Sequence, residues 1–322
     1  MVDIGHLTTF ATLSQGLSVT TISSPAACKH IQWTSQHTIL GGGSNTVFAT
    51  QTNRHIIKAA IMGREATVID AMRVRVTLGS GESWMDAVEW SMNQGRGGRQ
   101  NLIDIPGTVG GAVVQNIGAY GVEICQTIVS IVVYDFLTHE TFVLDNAQCQ
   151  FGYRHSVFKT PRAQSWFIIS ATFDLTTTNH HLITTYAGLD ETLDTPIKIC
   201  DRVRSLRKTK LPDWRIIPTA GSFFANPVVD ENEKNRLLCL DPHLVVYPFG
   251  SQRKVSAGYL IEKTVGKGWR LGKVGTYEKH ALIMVADGHV PGSAVHDAAF
   301  TLIGLVREQW GLTLVPEVLM VT

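Results

Sequence analysis

The chain has 322 residues, which is more than one hydrophobic core usually serves, so two or three domains are expected. Hydrophobic residues make up 44% and charged residues 17%, a balance that is typical of a folded protein and excludes a disordered one. The net charge of +1 excludes a global field that would draw the chain to nucleic acid or to a membrane surface.

Targeting and metal-binding patterns are missing from the sequence. The N-terminus lacks a basic region followed by an apolar core, and no apolar run reaches the roughly 18 residues of a membrane span. The five cysteines are far apart, odd in number and form no C-x-x-C pair, which indicates neither a disulfide framework nor a zinc ribbon. We therefore expect a cytoplasmic protein without a metal site.

Short apolar runs alternate with turns in the first part of the chain. TIL (38–40) predicts a strand that leads into a run of glycines. Strict alternation in RVRVTLGSG (73–81) predicts a half-buried strand that places Val74, Val76 and Leu78 on one face.

Helices are predicted where a capping residue precedes an apolar period of 3.6 residues. SWMDAVEWSMNQG (83–95) begins with a capping box of Ser83 and Asp86. TPIKICDRVRSLRKTK (195–210) has Thr195 as its N-cap and a proline in its first turn, where the missing N–H costs nothing.

The remaining elements mix strands and one long helix without a regular β-α-β period, which favours an α+β fold over a doubly wound sheet. Strands are predicted at IVSIVVYDF (128–136), TFVLD (141–145), WFIISATFDL (166–175) and LVPEVLMV (314–321), and the helix lies within 288–311.

Two glycine-rich segments stand out, LGGGSN (40–45) and IPGTVGGAVVQNIGAYG (105–121). Glycines expose backbone N–H groups and let a phosphate approach, because no Cβ intervenes. The dinucleotide fingerprint fails because Thr46 stands where its third glycine belongs, and no P-loop motif occurs. Each segment alone is also compatible with plain turn glycines, whereas the pair suggests a clamp for a diphosphate.

A single serine lies in the apolar stretch TAGSFFANPVV (219–229), between Gly221 and two phenylalanines that we expect to be buried. On this stretch alone, Ser222 is compatible with a turn or a helix cap, as serines often are. Gly221 indicates in addition a place where another group comes close to the chain.

Seven motifs that occur in order along the chain are recognisable as those of a known family. Together they resemble the bacterial UDP-N-acetylenolpyruvoylglucosamine reductases, flavoenzymes of peptidoglycan precursor synthesis, and specifically their loop-containing type I branch. The resemblance runs from about residue 4 to the end of the chain and rests on ILGGGSN, NLIDIPGTVGGAVVQNIGAYGVE, CQFGYRHSVFK, TKLPDW, AGSFFANPVV, SAGYLIEK and LVPEVLMV.

The resemblance implies reduction of an enolpyruvyl ether. NADPH gives a hydride to non-covalently bound FAD, and reduced FAD then passes hydride to C3 of UDP-N-acetylglucosamine enolpyruvate. A proton at C2 completes the D-lactyl ether, UDP-N-acetylmuramate. Because hydride transfer to a double bond beside a carboxylate builds up negative charge, the site needs a cation or donors and an acid at C2.

Three catalytic residues carry over from the family. Arg154, in FGYRHS, offers a planar fork for the substrate carboxylate. Ser222 matches the serine that delivers the proton to C2, and Glu317, in LVPEV, matches a charged residue that is either protonated or acts through Arg154. The resemblance implies that these three groups meet around the substrate double bond.

Binding residues carry over by the same resemblance. Tyr186 matches a mobile tyrosine loop over the UDP part, Lys210 and Asn226 match diphosphate-binding positions, and His280 lies near the substrate or is a buried core histidine. The implied FAD contacts are Gly42, Gly43, Ser44 and Asn45 from the first glycine segment, and Pro106, Gly107, Gly110, Gly111, Asn116, Gly118 and Ala119 from the second.

The resemblance also implies an α+β, three-domain flavoprotein. Residues 1–65, joined by the tail 310–322, and residues 66–211 form two N-terminal α+β domains of the PCMH type that hold FAD between them. Residues 212–309 form the C-terminal α+β domain that binds the substrate. We expect a monomer with no nucleic-acid or membrane partner.

Some positions depart from the family pattern, and two other functions stay open. TFA (9–11) replaces TFG, GGRQNL (97–102) replaces GLENL, and Ala286 replaces an asparagine. None of these departures removes a catalytic residue. The open alternatives are a flavin oxidase of the same fold that acts on an alcohol and a non-catalytic nucleotide-sugar-binding protein.

Overall fold

A computed structural model describes residues 1–178 and 180–322, which pack as two compact units. Unit 1 comprises Met1–Gly16, Gly43–Asn53 and Lys210–Thr322, and unit 2 comprises Leu17–Gly42 and Arg54–Thr209. The three-domain division expected from the sequence draws its boundaries at other positions and stays a prediction.

Strands are numbered in chain order over the described residues. They are β1 (Val2–Asp3), β2 (Gln15–Gly16), β3 (Ser18–Ile22), β4 (His37–Leu40), β5 (Thr46–Phe48), β6 (His55–Ala59), β7 (Arg64–Val68), β8 (Arg73–Gly79), β9 (Gly118–Ala119), β10 (Val122–Glu123), β11 (Ile128–Asp135), β12 (Thr141–Asp145), β13 (Trp166–Thr176), β14 (Thr219–Ser222), β15 (Val228–Val229), β16 (Val246–Phe249), β17 (Gln252–Val255), β18 (Arg270–Leu271), β19 (Val274–Tyr277), β20 (His280–Ala286) and β21 (Leu319–Val321).

Helices connect these strands. The α-helices are α1 (Trp84–Met92), α2 (Val109–Gln115), α3 (Pro196–Lys210), α4 (Glu231–Leu240), α5 (Ala257–Val265) and α6 (Gly292–Trp310). Short 3₁₀ helices are formed by Gly5–Leu7, Pro25–His30, Gln100–Leu102, Ile124–Gln126, Val157–Lys159 and Pro161–Ala163.

Unit 2 is built on a five-stranded antiparallel sheet in the order β12-β11-β13-β8-β7. The alternation predicted for β8 is confirmed, because Val74, Val76 and Leu78 are all buried and pack with α1 and α2 in one core. A smaller parallel sheet, β3-β6-β4, contains the strand predicted at 38–40.

Both helix starts predicted for unit 2 are confirmed. The Ser83 hydroxyl accepts a hydrogen bond from the Asp86 amide at 3.3 Å at the start of α1. The Thr195 hydroxyl likewise accepts from the Lys198 amide at 3.4 Å, immediately before α3. These bonds satisfy amides that lack a partner within the helix, which is why each helix begins where the capping residue stands.

Unit 1 is built on the antiparallel sheet β14-β20-β19-β18, against which α5 and α6 share a core with Phe223 and Phe224. The C-terminal strand is shorter than predicted, since β21 begins only at Leu319 and pairs in parallel with β5. Pro316 cannot donate to a strand ladder, and the chain before β21 is held instead by an isolated bridge to Phe224.

The mixture of strands and helices confirms the predicted α+β class. Among the described strands, antiparallel pairing predominates, and β3-β6-β4 and β5-β21 pair in parallel. Among those residues, no helix combines the length and the apolar character that crossing a membrane requires.

Candidate active site

Arg154 is held against the second glycine segment. It lies in a tight turn with φ of +53°, where Gly152 and His155 exchange two backbone hydrogen bonds of 3.0 Å. Its Nη2 donates to the Gly118 carbonyl at 2.8 Å, and its guanidinium lies 5.8 Å from the centre of the Tyr153 ring. The guanidinium is therefore placed by backbone of the segment that was predicted to bind FAD.

Asn116 organises this segment from inside. It is fully buried at the C-terminus of α2 with φ of +42°, and its Nδ2 donates to Glu123 at 2.9 Å and to the Gly152 carbonyl at 2.8 Å. Its Oδ1 accepts from the Cys125 amide at 3.2 Å. Both side-chain amide hydrogens and the oxygen of Asn116 thus bond within the protein, and a contact of Asn116 with FAD stays a prediction.

The two glycine segments pack closely within unit 2. A Cβ on Gly41 would lie 2.6 Å from the Thr108 hydroxyl, and a Cβ on Gly42 would lie 2.7 Å from the Cα of Gly107. Only glycine permits backbones to approach so closely. This close packing fits a cofactor with a diphosphate, since a phosphate can approach glycine backbone where no Cβ intervenes.

The first glycine segment continues into unit 1. Gly43 has φ of +64°, and a Cβ there would lie 2.1 Å from the Leu7 carbonyl oxygen. Asn45 donates its Nδ2 to the Glu317 carbonyl at 2.9 Å, and its own carbonyl accepts from the Leu319 amide at 2.9 Å. Within unit 1, the predicted cofactor residue Asn45 thus holds the backbone of the predicted catalytic residue Glu317.

Ser222 stands at the end of β14, on a bulge. The register of β14 and β20 shifts between Thr219 and Ser222, and the buried Thr219 hydroxyl pins the bulge by donating to the Met284 carbonyl at 2.7 Å. Gly221 has φ of +76°, and a Cβ there would meet nothing within 4 Å. A bulge re-aims the side chain that follows it, here into open space.

The Ser222 side chain is exposed, and its hydroxyl makes no hydrogen bond within residues 1–178 and 180–322. It therefore caps no helix, and the alternative of a capping serine is excluded for the described structure. Phe223 and Phe224 are buried as predicted, with ring centres 5.2 Å apart in the core of unit 1. The two rings anchor the strand that carries Ser222.

Glu317 lies beside this strand within unit 1. Its backbone amide donates to the Phe223 carbonyl at 2.9 Å, and its side chain is half-buried. A hydrogen bond one residue after Ser222 brings the backbones of the two predicted catalytic residues together. No signal in the sequence locates this contact, because the residues are almost a hundred positions apart.

Three predicted substrate residues belong to the same unit. Asn226 accepts from the Ala257 amide at the start of α5 at 2.9 Å, which leaves its NH₂ group for a ligand. A Cβ on Gly258, the next residue of α5, would lie 3.4 Å from the ring of His280. Burial first, and then the charges of Lys210 and Lys267, lower the pKa of His280, so its imidazole is neutral at pH 7.

Tyr186 lies in unit 2, half-exposed, with its ring edge-on to Tyr120 at 5.2 Å between centres. The turn that follows is fastened to α3, because Arg202 donates to the Gly188 carbonyl at 2.8 Å. The mobility expected for this loop stays a prediction.

The structure also contains contributors that the sequence did not reveal. Asn101 donates to the carbonyls of Tyr120 at 2.8 Å and Ile183 at 3.0 Å, and so joins the second glycine segment to the Tyr186 loop. An asparagine directly before the apolar residues 102–103 could have been suspected of bonding to backbone, but partners 19 and 82 residues away could not be named.

The predicted site residues fall into two sets. Unit 2 brings together Arg154, the second glycine segment and the Tyr186 loop, whereas unit 1 brings together Ser222, Glu317, Asn45, Asn226 and His280. The meeting of Arg154 with Ser222 and Glu317 stays a prediction.

Two family models match the chain. The C-terminal domain of UDP-N-acetylenolpyruvoylglucosamine reductase matches residues 212–321, and an FAD binding domain matches residues 26–137. The second match spans both glycine segments up to residue 121 of the chain.

Curated relatives match over most of their length. The chain is 36% identical over 315 residues to the UDP-N-acetylenolpyruvoylglucosamine reductase of Bdellovibrio bacteriovorus, covering 96% of this chain and 92% of the relative. It is 37% identical to the enzyme of the same name from Dechloromonas aromatica, covering 87% and 86%. The fold is similar to that of UDP-N-acetylenolpyruvylglucosamine reductase from Thermus caldophilus, with a TM-score of 0.70, 21% identity and coverage of 100% and 98%.

Proposed function

The chain belongs to the UDP-N-acetylenolpyruvoylglucosamine reductase family, and from that premise we propose that it reduces the enolpyruvyl ether of UDP-N-acetylglucosamine to the D-lactyl ether. NADPH is the hydride donor, and FAD is the non-covalently bound cofactor. A monomeric state and a cytoplasmic location remain predictions.

The residues proposed to hold FAD are those of the two glycine segments, with Asn116 as their internal support. Gly42, Gly43, Ser44 and Asn45 belong to the first segment, and Pro106, Gly107, Gly110, Gly111, Gly118 and Ala119 to the second. When bound, FAD supplies the hydride chemistry by accepting hydride from NADPH and delivering it to C3 of the substrate.

The observation that carries the proposal is the exposed Ser222 hydroxyl on its bulge, beside the open space at Gly221. A hydroxyl without a bond inside the protein is free to bond to a substrate, and we assign it the transfer of a proton to C2. The resulting alkoxide is a strong base, so it recovers its proton from water or a neighbouring donor after product formation.

Arg154 and Glu317 carry the charge of the site. The guanidinium of Arg154 binds the substrate carboxylate and stabilises the negative charge that spreads onto it when C3 accepts hydride. Its bond to the Gly118 carbonyl at 2.8 Å fixes the position of the fork. Glu317 is proposed as the third catalytic residue, either as a protonated donor or through Arg154.

Binding of the UDP part is assigned to four side chains. Lys210 supplies a point charge and Asn226 an NH₂ group for phosphate oxygens. His280, neutral at pH 7, supplies a hydrogen-bonding group without a competing charge. Tyr186 is assigned to cover the nucleotide.

Gly118→Ala tests the placement of Arg154. The added methyl group would lie 3.3 Å from Arg154 Nη1 and 3.0 Å from Glu123, so the guanidinium must move. We expect kcat/KM for the enolpyruvyl substrate, measured per bound FAD because Gly118 also belongs to the proposed cofactor segment, to fall by up to about tenfold, since a shift of a few tenths of an ångström is smaller than the ångström that costs about 100-fold. Gly152→Ala is the matched control, because its methyl group meets only His155 at 3.7 Å; equal loss in both variants would contradict the idea.

The proposed function predicts the behaviour of the purified protein. It should be yellow, release FAD when denatured, and consume NADPH only when the enolpyruvyl sugar nucleotide is added. NADH is compared at equal concentration, because the sequence carries no signature for the 2′-phosphate. A colourless protein that stays so with added FAD would favour a nucleotide-sugar-binding protein, and oxygen-dependent turnover of an alcohol would favour a flavin oxidase.

A further inference from the structure

The loop between α1 and Leu102 carries two arginines that lack an anionic partner. Arg99 is completely buried, and its Nε and Nη1 have no hydrogen-bond partner among residues 1–178 and 180–322. Arg96 is half-buried, and its Nη1 is likewise buried without a partner in that part of the chain. Asn179, which lies outside the described residues, is an uncharged residue type and cannot neutralise either arginine.

Aromatic rings and one hydroxyl surround these arginines. The guanidinium of Arg99 lies 4.6 Å from the centre of the Phe173 ring and 5.4 Å from that of Trp84, and its Nη2 donates to the Ser91 hydroxyl at 2.7 Å. The guanidinium of Arg96 lies 4.8 Å from the centre of the Trp90 ring. Ring faces attract cations, yet they satisfy none of the in-plane N–H donors.

Burial and mutual repulsion destabilise the charged forms of Arg96 and Arg99. Burial, and then the charge of Arg96, lower the pKa of Arg99 to about 9, so Arg99 keeps its charge at pH 7. Burial also lowers the pKa of Arg96. Buried charges in proteins are normally paired with an opposite charge, and two neighbouring cations repel each other.

The backbone fixes this loop in place. Gly97 exchanges two hydrogen bonds with Thr176 at 2.8 and 3.1 Å, and the Gly98 amide donates to Gln100 at 2.7 Å. The unpaired guanidinium groups are therefore not the product of a loosely attached segment. The loop also contains GGRQNL, one of the places where the sequence departs from its family pattern.

We propose that Arg96 and Arg99 form a binding site for a small tetrahedral oxyanion, inorganic phosphate or the terminal phosphoryl group of a phosphomonoester. Two planar forks match the oxygens of such an anion bidentately. Arg99 provides the buried side of the site, and the half-buried Arg96 provides the side nearer to solvent. The proposal uses none of the proposed catalytic residues and does not depend on the proposed reaction.

The test is equilibrium dialysis of the FAD-loaded protein with radiolabelled inorganic phosphate, in chloride buffer of constant ionic strength. We expect one phosphate per chain, and a rise in Tm of about 5 °C on saturation. Arg99→Leu should abolish both effects, and Arg96→Gln, a milder change, should weaken binding at least tenfold. In a second arm, unlabelled glycerol 2-phosphate is added as a competitor of the labelled phosphate. Displacement of the label identifies a phosphoryl-group site, and no displacement identifies a site for the inorganic ion.

Two control variants separate this site from general charge effects and from the substrate site. Arg162→Gln removes an exposed arginine that also lies over a tryptophan, 5.5 Å from the ring centre of Trp166, and should leave phosphate binding unchanged. Lys210→Ala should also leave it unchanged if the phosphate is held by the loop. The proposal is overturned if no phosphate binds, or if the stoichiometry survives in both Arg99→Leu and Arg96→Gln.

Discussion

Ser222→Ala should leave reduction of the flavin by NADPH at its normal rate and slow reoxidation by the enolpyruvyl substrate about 10³-fold, within the range that loss of a general acid produces. The hydroxyl is exposed on a bulge and makes no bond within the described residues, so its removal disturbs no contact there. Stopped-flow absorbance of the flavin measures the two half-reactions separately.

A matched pair of variants makes this result interpretable. Ser251→Ala removes an exposed hydroxyl elsewhere in unit 1 and should leave both half-reactions unchanged. Ser222→Cys restores an ionisable group and should recover part of the reoxidation rate. If Ser222→Ala were reoxidised within threefold of the wild-type rate, the assignment of Ser222 as the acid would be wrong.

Arg154→Ala should lower kcat/KM for the enolpyruvyl substrate about 10³-fold, because removing one preorganised donor to a developing charge costs 10²- to 10³-fold and here a full charge is lost as well. Arg154→Lys keeps the charge and loses the fork, so we expect an intermediate loss of about 10²-fold. Steady-state kinetics with each variant, corrected for FAD content, gives both values.

The control for Arg154 uses another arginine of unit 2. Arg75 forms an exposed bidentate pair with Asp174 at 2.8 and 2.9 Å, and Arg75→Ala should change kcat/KM by less than twofold. Surface ion pairs contribute little to stability, so this variant folds. Equal losses in Arg154→Lys and Arg154→Ala would show that charge is irrelevant to the role of this residue.

Local patterns predicted the elements well. The alternation of β8 and the caps of α1 and α3 depend on residues only a few positions apart. At that range, the residue types directly determine the backbone structure. The C-terminal strand is shorter than the apolar pattern of LVPEVLMV predicts, because the proline in this segment has no N–H to donate to a strand ladder.

The site was harder to predict from the sequence, because its contacts join residues that are far apart in the chain. The bulge at Ser222 depends on Thr219 bonding to a carbonyl 65 residues away, and Arg154 is held by Gly118, 36 residues earlier. The side chain of Asn116 bonds to Glu123, Gly152 and Cys125, and none of these three partners could be named from the sequence. Residue types alone could not reveal these contacts, and the catalytic roles rested on the family resemblance.

The most direct test is NMR of the sugar nucleotide after turnover in ²H₂O with NADPH. The account predicts one equivalent of the D-lactyl ether for each NADPH oxidised, with deuterium at C2. NADPH oxidation that leaves the enolpyruvyl group unchanged, with hydrogen peroxide as the product, would contradict it.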